Sequence, residues 1–203
     1  MKIKYNAPTV LTFAFASAIV LILSQTVMHS LTEQWFLVPG RHGFSAGSLR
    51  SWITLVTHAL GHANWHHLVS NFSIILLIGP ILEEVYGSFS LLVMIAITAL
   101  VTGVFNVLFF SSGLLGASGV VFMMILLASF TNFSKGEVPL TFILVLVLYL
   151  GRELFDSFGS DAADANISQF AHIVGGFIGS LFGFFKGIRE PLACGGGYAA
   201  AGY

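Results

Sequence analysis

Residues 113–122 read GLLGASGVVF. Four small residues, Gly116, Ala117, Ser118 and Gly119, open a run that is otherwise apolar enough to enter a lipid bilayer. The run, about 115–131, is short for that task. About 17 helical residues at ~1.5 Å each give roughly 25 Å, against a hydrocarbon core of ~30 Å. A helix of this length anchored at one membrane face begins below the other. Ser118 falls in its first turn, so a hydroxyl is expected inside the membrane at a helix N-terminus, where the macrodipole favours negative charge. A serine packed against a neighbouring helix, with small residues allowing close approach, is the competing reading of the same stretch.

The rest of the chain supports a membrane setting. It has 203 residues, 56% hydrophobic and 8% charged, with a mean hydropathy of +0.91. Globular domains carry about 25% charge, so there is too little polar surface here to face water throughout. The net charge of −1 gives no basic field for nucleic acid. A single cysteine, Cys194, excludes an intramolecular disulfide. Six apolar segments emerge: about 8–29, 66–86, 88–110, 115–131, 138–155 and 168–187. The first is longer than the ~7–15 residues of a signal-peptide core and is expected to be a retained helix. Two breaks are long: 30–65, with Trp35, Pro39, Arg41, Arg50 and Trp52, and the acidic 156–167. The expected fold is all-α, a polytopic six-transmembrane-helix bundle over 8–187. A cytoplasmic N-terminus (1–7) precedes it and a disordered tail (188–203) follows. Lys2, Lys4, Lys135, Lys186 and Arg189 then share one side, which predicts both ends in the cytoplasm.

Two further motifs carry polar groups into the apolar segments. In AHIVGGFIGSLFG, 171–183, His172, Gly175, Gly179 and Gly183 fall on one helical face. The glycines open that face to close approach by another helix, and an ionisable residue in a membrane helix is a functional candidate by default. The Gly116–Gly119 face is the expected partner; an interhelical hydrogen bond is the alternative for His172. In THALGHANWHHLVSN, 57–71, His67 and Asn71 share a face at the start of the second segment. Both can donate to a developing oxyanion. Metal binding by His58, His62 and His66 is the rival, but no nearby Cys or carboxylate completes such a set. For His58 and His62 a structural role is expected. Together the motifs allow a Ser–His dyad: Ser118 as nucleophile, His172 as base, and an oxyanion held by the Ser118 N–H, His67 and Asn71. No Asp or Glu lies in the middle of any segment to serve as a third member.

The chain resembles the rhomboid intramembrane serine proteases. The resemblance rests on Gly116-Ala-Ser118-Gly119, on His67-x-x-x-Asn71, and on Ala171-His172-x-x-Gly175-x-x-x-Gly179, in that order along about 8–187. It implies a rhomboid-like bundle in which Ser118 is the nucleophile and His172 its general base. His67 and Asn71 would help form the oxyanion hole, with Gly116, Gly119, Phe122, Ala171, Gly175 and Gly179 in support. The family often shows an adjacent Trp-Arg pair in the first external loop; here the sequence is Arg50-Ser51-Trp52. Some members stack a Tyr on the catalytic His, where this chain has Phe122. Glu83 matches a Glu common in the family and is read as capping and packing.

The implied activity is hydrolysis of peptide bonds in or near transmembrane segments of protein substrates. It needs the lipid bilayer, no cofactor and no metal, and the substrate helix unwinds into a wet cavity open to the outside. The polar loop 156–167 is expected to cap that cavity, with Phe158, Ile167 and Phe170 as plugs, and the fifth segment to form the mobile side of a lateral gate. The expected location is a bacterial-type inner membrane. A catalytically silent rhomboid-like protein that binds membrane helices is the main rival. A small transporter is the second, and it would need more mid-membrane polar groups than Asn106.

Overall fold

The computed structural model describes residues 4–133, 140, 143–144, 147–148, 151, 173–179 and 181–182. The described residues are mostly helical and contain no strand beyond one isolated bridge. α1 (Pro8–Thr26), α4 (Trp65–Tyr86) and α5 (Ser88–Phe109) are each long and apolar enough to cross a membrane. α6 (Ser118–Phe133) is apolar but has only 16 residues, about 24 Å of helix. The helical residues at 140, 143–144, 147–148 and 151 fall in the expected fifth segment, and 173–179 with 181–182 in the sixth. Leu140, Ile143, Leu144, Val147 and Leu148 form one exposed apolar stripe, suited to lipid. His172, Ala171, the loop 156–167 and the tail 188–203 lie outside the described residues.

Each long helix starts and turns for an identifiable reason. Pro8 occupies the first turn of α1, where a missing N–H costs nothing. Ala7 offers no side-chain cap. Glu83 of α4 supplies one instead: its carboxylate accepts from the Thr9 N–H at 2.8 Å and the Val10 N–H at 3.0 Å. The expected capping role of Glu83 is thus a cap on a different helix. α4 and α5 reverse direction at Gly87, whose φ of 83° suits a residue without a Cβ. Val10, Phe13, Ser17, Val20, Leu21 and Ser24 form the inward stripe of α1. Leu68, Asn71, Phe72, Ile75, Gly79, Leu82 and Glu83 form that of α4. Phe13 meets Phe72 with ring centroids 5.2 Å apart.

α6 is the centre of the bundle. Val120 to Ile125 and Leu127 are all buried, so the helix is covered on every side rather than along one stripe. The fourth apolar segment begins as helix at Ser118, three residues later than its apolar pattern begins, because 116–117 form a bend. The sixth segment packs on α6 through its glycines. A Cβ on Gly175 would overlap the Gly119 carbonyl, and one on Gly179 the Met123 carbonyl. Both pairs are four residues apart on both helices, so the two run parallel in register.

The long break 30–65 is ordered rather than a plain loop. It contains α2 (Leu31–Trp35), α3 (Leu49–Thr57) and a 3₁₀ turn at His58–Leu60. α3 buries Ser51, Thr54 and Leu55 and leaves Leu49, Trp52, Ile53 and Val56 exposed. The Trp52 indole donates to the Ala46 carbonyl at 2.9 Å and meets Phe44 edge-on at 5.5 Å. Asn106, inside α5, is buried and bonds within its own connection rather than to another helix. Its amide donates to the Ser112 carbonyl at 3.2 Å, in the loop after its own helix, because that loop folds back over the end of α5.

Candidate active site

Ser118 is the first residue of α6 and half-buried. Its position follows from how the preceding loop is held. Val38 and Leu114 exchange both backbone hydrogen bonds at 3.0 Å, and the Arg41 N–H donates to the Phe110 carbonyl at 2.7 Å. On the other side the Gly116 N–H donates to the His58 carbonyl at 3.0 Å. Two remote segments, 38–41 and 58, thus fix the chain immediately before the nucleophile candidate. Ala117 is fully buried and its carbonyl accepts from the Val121 N–H at 2.9 Å, closing the first turn. The first amides of a helix have no intrahelical acceptor, so α6 presents donors and a positive dipole end beside Ser118.

Gly116 brings in the second helix. Its φ of 115° lies where side chains are strained. A Cβ there would stand 2.6 Å from Cε1 and 2.7 Å from Nε2 of His67, and 3.8 Å from Nδ2 of Asn71. The His67 imidazole and the Asn71 amide therefore lie against the turn two residues before Ser118. α4 sets both. Asn64 caps the helix by accepting from the His67 N–H at 2.8 Å, and the Asn71 amide donates to the His67 carbonyl at 3.2 Å. Asn71 is buried, His67 half-buried, and His66 exposed on another face. The sequence-predicted residues Gly116, Ser118, Gly119, His67 and Asn71 thus come together. Phe122 is buried one turn along α6, and Gly175 and Gly179 seat the sixth segment on the same helix.

His58 and His62 support this layout from beneath. The His62 ring meets His67 edge-on with centroids 5.0 Å apart, and Phe72 at 5.7 Å. His62 Nδ1 lies 3.3 Å from the Leu60 carbonyl and His58 Nε2 lies 3.0 Å from the Ala99 carbonyl. A carbonyl only accepts, so those nitrogens carry the protons and the opposite nitrogens are bare acceptors. Burial pushes the His58 pKa down to about 4, opposed by the backbone at Ala99 and Gly116. Burial, with the charge of His67 adding to it, pushes His62 down to about 3, opposed by the Leu60 carbonyl. Both rings are neutral near pH 7. Their structural role matches the sequence expectation, and no three His, Cys, Asp or Glu among the described residues group as a metal site. Asn64 escaped the sequence reading, although an Asn three residues before His67 at a helix start is a recognisable cap signal. The Val38–Leu114 bridge had no such signal.

The Rhomboid domain family model matches residues 49–189, more than two thirds of the chain. No curated protein matches it significantly. The matched span runs from α3 through the turn at Gly116 and the glycine seam, so it holds His58, His62, His67, Asn71, Gly116 and Ser118, while the supporting segment 38–41 precedes it. The chain belongs to the rhomboid family.

Proposed function

We propose that the chain is an intramembrane serine endopeptidase that cuts other membrane proteins in or near their transmembrane segments. The observation that carries this reading is the convergence of His67 and Asn71 on the turn at Gly116, beside the N-terminus of α6 where Ser118 sits. The glycine seam adds weight: Gly175 meets Gly119, the neighbour of Ser118, and His172 precedes Gly175 by less than one helical turn in sequence.

The reaction follows from these groups. His172 takes the proton from the Ser118 hydroxyl as its oxygen attacks the scissile carbonyl. The carbonyl oxygen becomes an oxyanion, held by the Ser118 backbone N–H, the His67 imidazole and the Asn71 amide. As the tetrahedral intermediate collapses, the C–N bond breaks and His172 returns the proton to the leaving amine. Water, deprotonated by His172, then releases the acyl group from Ser118. The dyad as read from the sequence has no acidic third member, so packing is left to orient the imidazole, and Phe122 is the ring we assign to stack on it. The distribution of Lys and Arg supports a topology with both ends in the cytoplasm and the site opening outward, as in a bacterial inner membrane.

The test is labelling of the detergent-solubilised chain with a serine-directed fluorophosphonate probe. Wild type is expected to label, and Ser118→Ala and His172→Ala to stay dark while folded. A folded wild type that stays dark overturns the protease reading and leaves a silent, helix-binding member of the family.

A further inference from the structure

A crevice of about 470 Å³ lies between the first halves of α1 and α5. Phe13 and Ala16 line one wall and Ala96 and Ala99 the other, while Ala59 and Leu60 of the 3₁₀ turn form the roof. Three threonines on its border add little polarity, because their hydroxyls are already engaged. Thr9 donates to the Ser88 carbonyl at 2.9 Å, Thr12 shares a hydrogen bond with the Tyr5 hydroxyl at 2.9 Å, and Thr57 donates to the Trp35 carbonyl. An apolar hollow with no polar groups to satisfy does not hold water well. It is about three times the ~150 Å³ that accepts one benzene ring.

Its position says what fills it. Pro8 and Ser88 start their helices at the same end of the bundle, tied by the Thr9–Ser88 bond. From Pro8 to Ala16 the crevice extends about 12 Å along α1. That is close to one leaflet of a ~30 Å hydrocarbon core, so the roof falls near the midplane. Phe15 and Ile19 on α1 and Leu92 and Val93 on α5 are exposed apolar residues flanking it. Lys4 is exposed and lies four residues before Pro8, on the side where α1 and the crevice begin. A basic residue at the headgroup level attracts anionic lipid.

We infer that this crevice binds one acyl chain of an anionic phospholipid from the leaflet on the Lys4 side, with the headgroup at Lys4. The roof connects the lipid to the site. His58, which begins the 3₁₀ turn, accepts the Gly116 N–H through its carbonyl, and Leu60 accepts from the buried His62 beside His67. An acyl chain under Ala59 and Leu60 supports the segment that holds the turn before Ser118. The binding claim does not depend on proteolysis.

The experiment places the full chain in bilayer nanodiscs with phosphatidylglycerol carrying a photoreactive diazirine in its acyl chain. Crosslinked peptides are mapped by mass spectrometry. Label is expected to concentrate on Pro8–Ala16 and Leu92–Ala99 above the exposed α4 face at Leu77 and Ile81. Ala96→Trp fills the crevice and should cut that label about tenfold, equivalent to withdrawing two methylenes from an apolar site, with α4 labelling unchanged. Ala16→Phe does the same from the opposite wall and serves if the first variant does not fold. A phosphatidylcholine probe should label the crevice less than phosphatidylglycerol, and Lys4→Glu should remove that preference. Crevice labelling no stronger than on α4, or unchanged in a folded filled variant, overturns the acyl-chain site. Equal labelling by the two lipids overturns the headgroup assignment.

Discussion

At the scale of single residues, Gly116 does two things that no other residue type does together. It adopts a φ of 115° and leaves room for the His67 ring. Gly116→Ala should therefore strain the backbone and push His67 off the turn. The expected result is loss of probe labelling by about a hundredfold or more, the cost of a displaced oxyanion donor at ~3 kcal/mol, in a protein that still folds. Asn71→Ala removes a donor without moving the turn. It should leave weak proteolysis with a similar loss in kcat and little change in KM, read from steady-state cleavage of a transmembrane substrate.

At the scale of elements, α1 depends on a carboxylate from α4. Glu83→Gln keeps the shape but replaces one accepting oxygen with an N–H₂ group facing a backbone N–H. The expected loss is about 1–3 kcal/mol of stability, seen as a lower unfolding midpoint, with probe labelling unchanged below it. The contact between α6 and the sixth segment is similarly specific. Gly175→Val places side-chain carbon on the Gly119 carbonyl. Overpacking of this kind costs about 1–3 kcal/mol or more, and because it parts the helices beside Ser118, labelling should fall with the unfolding midpoint. A substitution on the exposed fifth-segment stripe, such as Leu148→Ala, should change neither.

Across the molecule, the fold keeps two neutral histidines, His58 and His62, buried beside the site, and this makes its stability depend on pH. The folded pKa values of His58 and His62 are lowered from 6.5 to about 4 and about 3. As pH falls below 6.5 the unfolded chain binds protons that the folded chain refuses. The contribution of these rings is thus fully present above pH 6.5 and is lost progressively toward pH 4 and below. Unfolding midpoints at pH 7.5, 6, 5 and 4 should fall in that order, and His62→Phe should flatten the decline. A midpoint independent of pH over this range would mean the rings are hydrated or charged in the folded state.

The apolar segments, the short central helix and the polar residues placed in it are all legible along the chain. Length, hydropathy and helical spacing are local properties, and each is written in consecutive residues. His67 and Asn71 on one face of α4, and the glycines of the sixth segment on another, were legible for the same reason. That Glu83 caps α1, that the His58 carbonyl and Val38 hold the loop before Ser118, and that 30–65 folds into short helices follows from packing between distant segments. Those contacts join residues 50 or more positions apart, or leave no periodic trace. A backbone carbonyl or a lone carboxylate looks the same in sequence whichever donor it finally meets.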